Sequence, residues 1–382
     1  MTALPKKARL IFAGGGTGGH LFPAIAIANR VSELLAGKAE TKIEFVGTKR
    51  GIEYRLRDSI GYPLRLVNIR GIARSLTLKN LAVPFLVIGS LMKSRSILKE
   101  MKPHVVVGTG GYVSWPILKM ASMMGITTVL QEQNSFPGIS TRRLAASAAR
   151  VYLGFEEGKS FLPSGAATMT TGNPVRRTIA DGNRIEALEH FGLDANRKTI
   201  LVLGGSQGAR SINEAIQKSL KDGSLTDNYQ LLWQTGKGDY TDISSSLDEK
   251  EALCAFPFDS EMERVYAAAD LVIARAGAIT LAELEACNLP AILIPYPYAA
   301  GDHQRKNAQA YVSRGFGKTV DPNDLDSVDI LAEAIALFED GKVDKMRSAI
   351  AQETAGRKPA VDIIAEDIIK LIGIAQEKTV AD

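Results

Sequence analysis

Cysteine is scarce: Cys254 and Cys287 are the two thiols in 382 residues. Two cysteines build no disulfide framework, which points to a reducing compartment. Neither stands at a metal-ligand spacing and there are four histidines, so a structural metal site is not expected. Charge of one sign is also scarce. A net charge of +4 does not by itself imply a nucleic-acid partner. Long apolar runs are missing too. The most apolar window, Leu81–Met92, contains Pro84 and is too short to span a bilayer. Leu10–Ala13 is too short for the core of a signal peptide and runs straight into glycines, so no signal peptide is expected. These absences predict a cytosolic protein that can still associate with a membrane surface.

Glycine is plentiful. The 35 glycines cluster, which suggests functional loops within an otherwise ordinary globular composition of 45% apolar and 23% charged residues. The length suits two domains. Apolar runs at "RLIFA", "KIEFV", "HVVVG", "TTVLQ" and "RVYLG" read as strands in the first half. "TILVLGG", "YQLLWQT", "DLVIAR" and "PAILIPYP" repeat the theme after residue 198. Continuous apolar strands separated by helical segments predict parallel sheets covered on both faces. The expected fold class is therefore α/β, with two doubly wound domains. The expected division is 1–173, then 174–355, with the hinge near Thr171–Thr178 where Pro174 interrupts the pattern. A last helix over 356–382 either caps the second domain or crosses back to the first, and it is assigned to packing back on the first.

Each half opens on a strand that runs into glycines and then a helix: "LIFAGGGTGGH" and "LVLGGSQGAR". Glycine permits positive φ and close backbone approach. The bare N–H groups of the following helix attract anions or oxygen-rich groups. Gly14, Gly16 and Gly19 also spell G-x-G-x-x-G, the dinucleotide pattern. That pattern needs an acidic residue at the end of the second strand, to hold a ribose diol. Here the strand ends in Gly47-Thr48, and Glu44 comes too early. His20 follows the first loop and belongs in the first turn of its helix. There it can act as a general base or simply bond local backbone. The second loop adds Ser206 to its backbone donors and suits a phosphate, with Arg176 and Arg210 as countercharges. Further on, Thr280 and Glu283 share a helix face. A carboxylate there can accept two hydrogen bonds from a ribose diol, or can be an ordinary solvated glutamate. The loop bearing Asp302, His303, Gln304 and Asn307 has amides suited to sugar hydroxyls.

Taken together, "GGTGGHLFPAIAIA", "GGYVSWP", "LQEQNSFPG", "GNPVR", "GGSQGAR", "ARAGAITLAELEA" and "DHQRKNA" resemble the MurG family. These segments stand in family order from residue 14 to residue 308. The resemblance implies a GT-B fold, two Rossmann-like domains facing across a deep cleft. It implies inverting, metal-independent transfer of N-acetylglucosamine from UDP-N-acetylglucosamine to the 4-hydroxyl of the muramyl sugar of lipid I. The product would be lipid II of peptidoglycan, with no cofactor.

The family's roles map onto this chain as follows. Arg176, Ser206 and Gln207 contact the diphosphate. The backbone at Phe258 and Asp259 holds the uracil edge. Ala278, Ile279 and Thr280 line the phosphate side at a helix start, and Glu283 grips the ribose. Gln304, with His303 and Asn307 as further candidates, reads the sugar hydroxyls. Thr17, Gly18, Gly19 and Asn134 reach the donor sugar. Gly15, Gly16, Gly110, Gly111 and Tyr112 belong to the acceptor side, where the first loop cradles the lipid-linked diphosphate. His20 and Glu132 compete for the role of base. Two positions depart from the family pattern. Gln131 stands where histidine is frequent, so that position is no essential base here. Asp259 replaces a frequent apolar residue, which a backbone contact would tolerate.

A lipid-linked acceptor requires a membrane. Between Arg70 and Lys102 the chain carries Arg74, Lys79, Lys93, Arg95 and Lys99 against Glu100 alone. Leu81, Phe85, Ile88 and Leu91 recur there at helical spacing. An apolar stripe with basic flanks suits an anionic lipid surface, and a core helix with a solvated basic end is the alternative. Trp115 is expected to join that surface. The resemblance places the enzyme on the cytoplasmic face of the bacterial plasma membrane, beside other cell-wall synthesis and division proteins. Rival readings are another GT-B transferase or epimerase, an NAD-dependent oxidoreductase, and a scaffold that only binds UDP-sugars.

Overall fold

The structure, a computed structural model, describes residues 4–70, 83–204, 208–247, 252–259 and 261–381. The chain divides into two compact units, Met1–Val175 with Lys358–Asp382, and Arg176–Arg357. The first unit holds strands β1 (Lys7–Gly14), β2 (Glu40–Gly47), β3 (Leu64–Leu66), β4 (Val105–Gly110), β5 (Thr127–Glu132), β6 (Arg150–Leu153) and β7 (Thr168–Thr170). They pair in parallel in the order β3-β2-β1-β4-β5-β6-β7. The helices between them are α1 (Gly18–Leu35), α2 (Ile52–Arg55), α3 (Val83–Met101), α4 (Ser114–Met123) and α5 (Ile139–Leu144).

Alternation along β1 explains the layering. Leu10 and Phe12 enter one apolar core, while Ile11 and Ala13 enter another on the opposite face. Helix α1 covers the first face with Leu21, Ala24, Ile27, Ala28, Val31 and Leu35, a spacing that forms one helical stripe.

The second unit repeats the design. Its strands are β8 (Lys198–Leu203), β9 (Tyr229–Gln234), β10 (Leu253–Phe256), β11 (Leu271–Ala274), β12 (Ala291–Leu293) and β13 (Gly317–Thr319). They too are parallel, in the order β10-β9-β8-β11-β12-β13. Its helices are α6 (Arg184–Phe191), α7 (Arg210–Lys221), α8 (Tyr240–Ser246), α9 (Met262–Ala267), α10 (Ala278–Ala286), α11 (His303–Ser313), α12 (Ile330–Glu339) and α13 (Lys342–Thr354).

The chain then returns to the first unit as α14 (Ala360–Ala381). Ile364, Ala365, Ile368 and Ile372 are fully buried in the core that holds Leu10 and Phe12. Each buried isoleucine stabilises the unit by about 1.5–3 kcal/mol. Polar pairs fix the register of the helix. Arg30 Nε donates to Asp362 Oδ1 at 2.6 Å, and Arg150 Nε and the Tyr152 hydroxyl both donate to Asp367 Oδ2 at 3.0 Å.

Helix α3 presents Phe85 (78% exposed), Ile88 (57%) and Met92 (69%) outward, while Ile97, Leu98 and Met101 are buried. The expected stripe is thereby corrected. Leu91 turns partly inward and Met92 takes its place outside. Leu81, with Arg74 and Lys79, lies outside the described residues. Trp115 packs half-buried against the core beneath α3 and α4. No helix among the described residues is long and apolar enough to cross a membrane.

Candidate active site

In each sheet the strand order reverses beside the first strand, between β1 and β4 and between β8 and β11. Open α/β sheets bind ligands at the carboxyl ends of the strands beside such a switch. Both glycine loops lie there.

In the first unit, Thr17 caps α1 with extended backbone but no side-chain hydrogen bond, and the first turn has no acidic residue. The opening amides of a helix have no intrahelical partners, so Thr17, Gly18 and Gly19 front a positive helix start. Gly16 is different. Its N–H donates to Glu53 Oε2 at 2.9 Å, while Thr48 N donates to Glu53 Oε1 at 2.9 Å. Glu53 is 1% exposed. A Cβ at Gly15 would lie within 2.6 Å of that carboxylate. The amide of Gly16, read as part of a phosphate cradle, is thus already taken by a buried carboxylate. Glu44 is spent on Arg65 and Lys42. The Tyr112 ring edge stands over Gly16.

His20 lies in the first turn of α1 and is held at both ends. Its carbonyl accepts from the Thr109 hydroxyl at 2.7 Å. Its Nδ1 meets Gln133 Oε1 at 2.9 Å. Gly110 and Gly111, both at positive φ, lie against the ring. A Cβ at Gly110 would stand 2.7 Å from Nδ1, and one at Gly111 would stand 2.4 Å from the Gly15 carbonyl. These two glycines therefore make room for the ring and for the meeting of the two loops.

Glu132, at the end of β5, is 3% exposed. Its Oε1 accepts from Asn134 N at 3.2 Å and Asn134 Nδ2 at 3.4 Å. Its Oε2 accepts from Gly138 N at 3.0 Å and the Thr141 hydroxyl at 2.6 Å. Both oxygens hold the loop 133–138 to its strand.

In the second unit, β8 runs into Gly204. Ser206 and Gln207 lie outside the described residues. Gly208 has φ +78°, and α7 follows. Arg210 points to solvent and pairs with Glu214 at 3.0 Å. The other loop at this switch leads into α10, capped by Gly277, with Ala278, Ile279 and Thr280 in a first turn free of acidic residues.

One turn on, Glu283 Oε2 accepts from the Tyr266 hydroxyl at 2.8 Å. Burial pushes the Glu283 carboxyl up to about 7, against the opposing pull of Tyr266 and Arg176. Arg176 also pairs with Glu263 at 3.3 Å. Burial, with the Glu283 charge adding to it, pushes the nearby Cys287 thiol up to about 12, so it stays protonated and inert. Phe258 is partly exposed beneath the Lys237 ammonium. Asp259 turns its carboxylate back to Glu261 N and Arg264. Gln304 Oε1 accepts from Tyr296 N at 2.9 Å. Asn307 is fully buried and donates to the Ala276 carbonyl at 3.3 Å. It braces the loop before α10 and does not present its amide to a sugar. Glu53, Gln133, Asn173 and Tyr266 are absent from the sequence reading, because each meets its partner through the fold.

The comparisons with known proteins agree on the kind of protein. Residues 10–153 match the glycosyltransferase family 28 N-terminal domain, and 199–364 match its C-terminal domain. A UDP-N-acetylglucosamine–N-acetylmuramyl-(pentapeptide) pyrophosphoryl-undecaprenol N-acetylglucosamine transferase from Flavobacterium psychrophilum is 42% identical, covering 95% of this chain and 98% of its own. A transferase of the same name from Chlorobaculum tepidum is 41% identical over 95% and 99%. The crystal structure of Acinetobacter baumannii MurG superposes with a TM-score of 0.72 at 26% identity, covering 96% of this chain and 99% of that one. A Neisseria meningitidis UDP-GlcNAc 2-epimerase shares the fold, with a TM-score of 0.61 at 12% identity over 96% and 99%. The chain is a GT-B glycosyltransferase built from family 28 domains, and it belongs to the MurG family.

Proposed function

We propose that this protein transfers N-acetylglucosamine from UDP-N-acetylglucosamine to the 4-hydroxyl of the muramyl sugar of lipid I, with inversion and without a metal, to form lipid II. Membership of the MurG family supports the substrates. The observation that carries the chemistry is His20, braced at a switch point with Nε2 making no hydrogen bond among the described residues.

An inverting transfer needs a base for the attacking hydroxyl and stabilisation of the departing diphosphate. Of the two candidate bases, His20 is the better fit. It has a ring nitrogen to offer, whereas Glu132 already accepts hydrogen bonds from Asn134, Gly138 and Thr141 that hold a loop. The second unit holds the nucleotide. Glu283 takes the ribose diol, the α10 start with Ala278, Ile279 and Thr280 takes phosphate charge, and Arg176 adds a cation. Ser206 and Gln207 join them, the backbone at Phe258 and Asp259 holds the uracil edge, and Gln304 reads the sugar. Preorganised donors of this kind are typically worth ~3 kcal/mol each towards the transition state. Thr17, Gly18, Gly19 and Asn134 serve the donor sugar. Gly15, Gly110, Gly111 and Tyr112 serve the acceptor, on a first unit that docks on the cytoplasmic face of an anionic plasma membrane through Phe85, Ile88 and Met92.

Purified protein given UDP-N-acetylglucosamine and a lipid I analogue should release UDP and yield the β-linked disaccharide in the presence of a chelator. No UDP release, or an α-linked product, would refute the reading.

A further inference from the structure

We infer that Gln133 is a positioning residue that holds His20 as its Nδ1–H tautomer and so leaves Nε2 as the basic nitrogen. The inference rests on reading His20 as the base.

The assignment follows from a chain of amides in which each orientation is forced by the next. Asn173 Nδ2 faces the Gln133 main-chain carbonyl at 2.9 Å. A carbonyl only accepts, so this atom must be the nitrogen, and Asn173 Oδ1 faces the other way. That oxygen accepts from Gln131 Nε2 at 3.0 Å, which turns Gln131 Oε1 towards Gln133. Gln133 Nε2 donates to this oxygen and to the Thr109 carbonyl at 2.7 Å. Gln133 Oε1 is then the atom left for His20, at 2.9 Å from Nδ1. An amide oxygen cannot donate, so the proton lies on Nδ1.

Burial makes the arrangement decisive. Gln131 is 0% exposed, Gln133 2% and Asn173 8%. Water does not compete there, and flipping any one amide would leave buried donors facing donors. Room for the chain is built in, since a Cβ at Gly154 would stand 2.3 Å from Asn173 Oδ1. In water neutral histidine prefers the Nε2–H form, whose free nitrogen is Nδ1. The protein reverses that preference. A ring in the solution tautomer would turn a donor towards the acceptor hydroxyl and could not take its proton.

The test reads the tautomer directly. Protein labelled with ¹⁵N-histidine is examined by long-range ¹H–¹⁵N correlation at alkaline pH, where free imidazole is neutral. The His20 signals are identified by their loss in His20→Ala. The Nδ1–H pattern is expected, and the Nε2–H pattern would overturn the inference whether or not Gln133→Leu folds. Gln133→Leu keeps the volume and removes the acceptor. It should shift His20 towards Nε2–H and lower kcat roughly 10- to 100-fold, with KM for the donor held. An unchanged tautomer, or a changed tautomer with unchanged kcat while His20→Ala is inactive, would also overturn it. Normal turnover by His20→Ala would instead refute the base reading and leave the tautomer result to stand by itself.

Discussion

Tyr266 and Glu283 share one short hydrogen bond, 2.8 Å from phenol oxygen to carboxyl oxygen, in surroundings that push the carboxyl up to about 7. The unfolded carboxyl titrates near 4.5. Between these values the folded protein holds a proton that the unfolded chain has lost. The stabilisation from a neutral Glu283 is therefore fully present below about pH 4.5 and is lost as pH rises through about 7. The proposed ribose binding has the opposite sense, because the ionised carboxylate is the form that accepts two hydroxyl hydrogen bonds. UDP affinity should strengthen as pH rises through about 7 and level off above it. Calorimetry across that range would show it, and Glu283→Gln should bind more weakly with a flat profile. A flat wild-type profile would remove the ribose role.

His20→Ala should lower kcat by roughly 10²- to 10⁴-fold, the usual contribution of a positioned general base. Donor affinity should stay near normal, since the proposed nucleotide contacts lie in the second unit. Steady-state kinetics paired with UDP calorimetry separates the two effects. A loss of UDP affinity as large as the loss of turnover would mean that the ring shapes the donor site instead.

Glu53→Ala should destabilise the first unit by about 1–3 kcal/mol for each buried donor left unpaired. The buried donor is Thr48 N, and the half-buried Gly16 N adds a smaller share. Denaturant unfolding measures this directly. Equal midpoints for variant and wild type would show that the loop finds other partners.

Phe85→Glu with Ile88→Glu should weaken sedimentation with anionic vesicles and leave turnover of a water-soluble acceptor analogue unchanged. Both side chains face outward from α3, so the pair should fold normally. Exposed Lys93, Arg95 and Lys99 flank them and supply about 1 kcal/mol each near an anionic surface. Wild-type vesicle binding by the double variant would assign the stripe another role.

Much of the fold is legible in the one-dimensional pattern. The buried strands read directly because both of their faces are covered, so they are apolar throughout, as in Leu10–Ala13 and Leu201–Leu203. The strands absent from that pattern are β3, β7, β10 and β13, the outer strands of both sheets. They are three or four residues long. β3, β7 and β13 carry no continuous apolar run, and β10 is apolar throughout but four residues long and half-buried, because an edge strand is covered on fewer sides. Helix α14 could be read as a helix, but its partner could not. Ile364 and Ile368 need an apolar face, and either unit could have supplied one.

By itself the sequence determined the α/β class, the two glycine loops, the helix starts behind them and the family. Those features depend on local conformational freedom and on period, which neighbouring residues carry. Only the tertiary structure decided which side chains those loops serve. Glu53 closes Gly16, Tyr266 covers Glu283, and Asn173 orients Gln131, which orients Gln133, which faces His20. The contact between His20 and Gln133 spans 113 residues of chain. It exists because parallel pairing sets β1, β4 and β5 side by side, so that residues remote in sequence meet at the ends of adjacent strands.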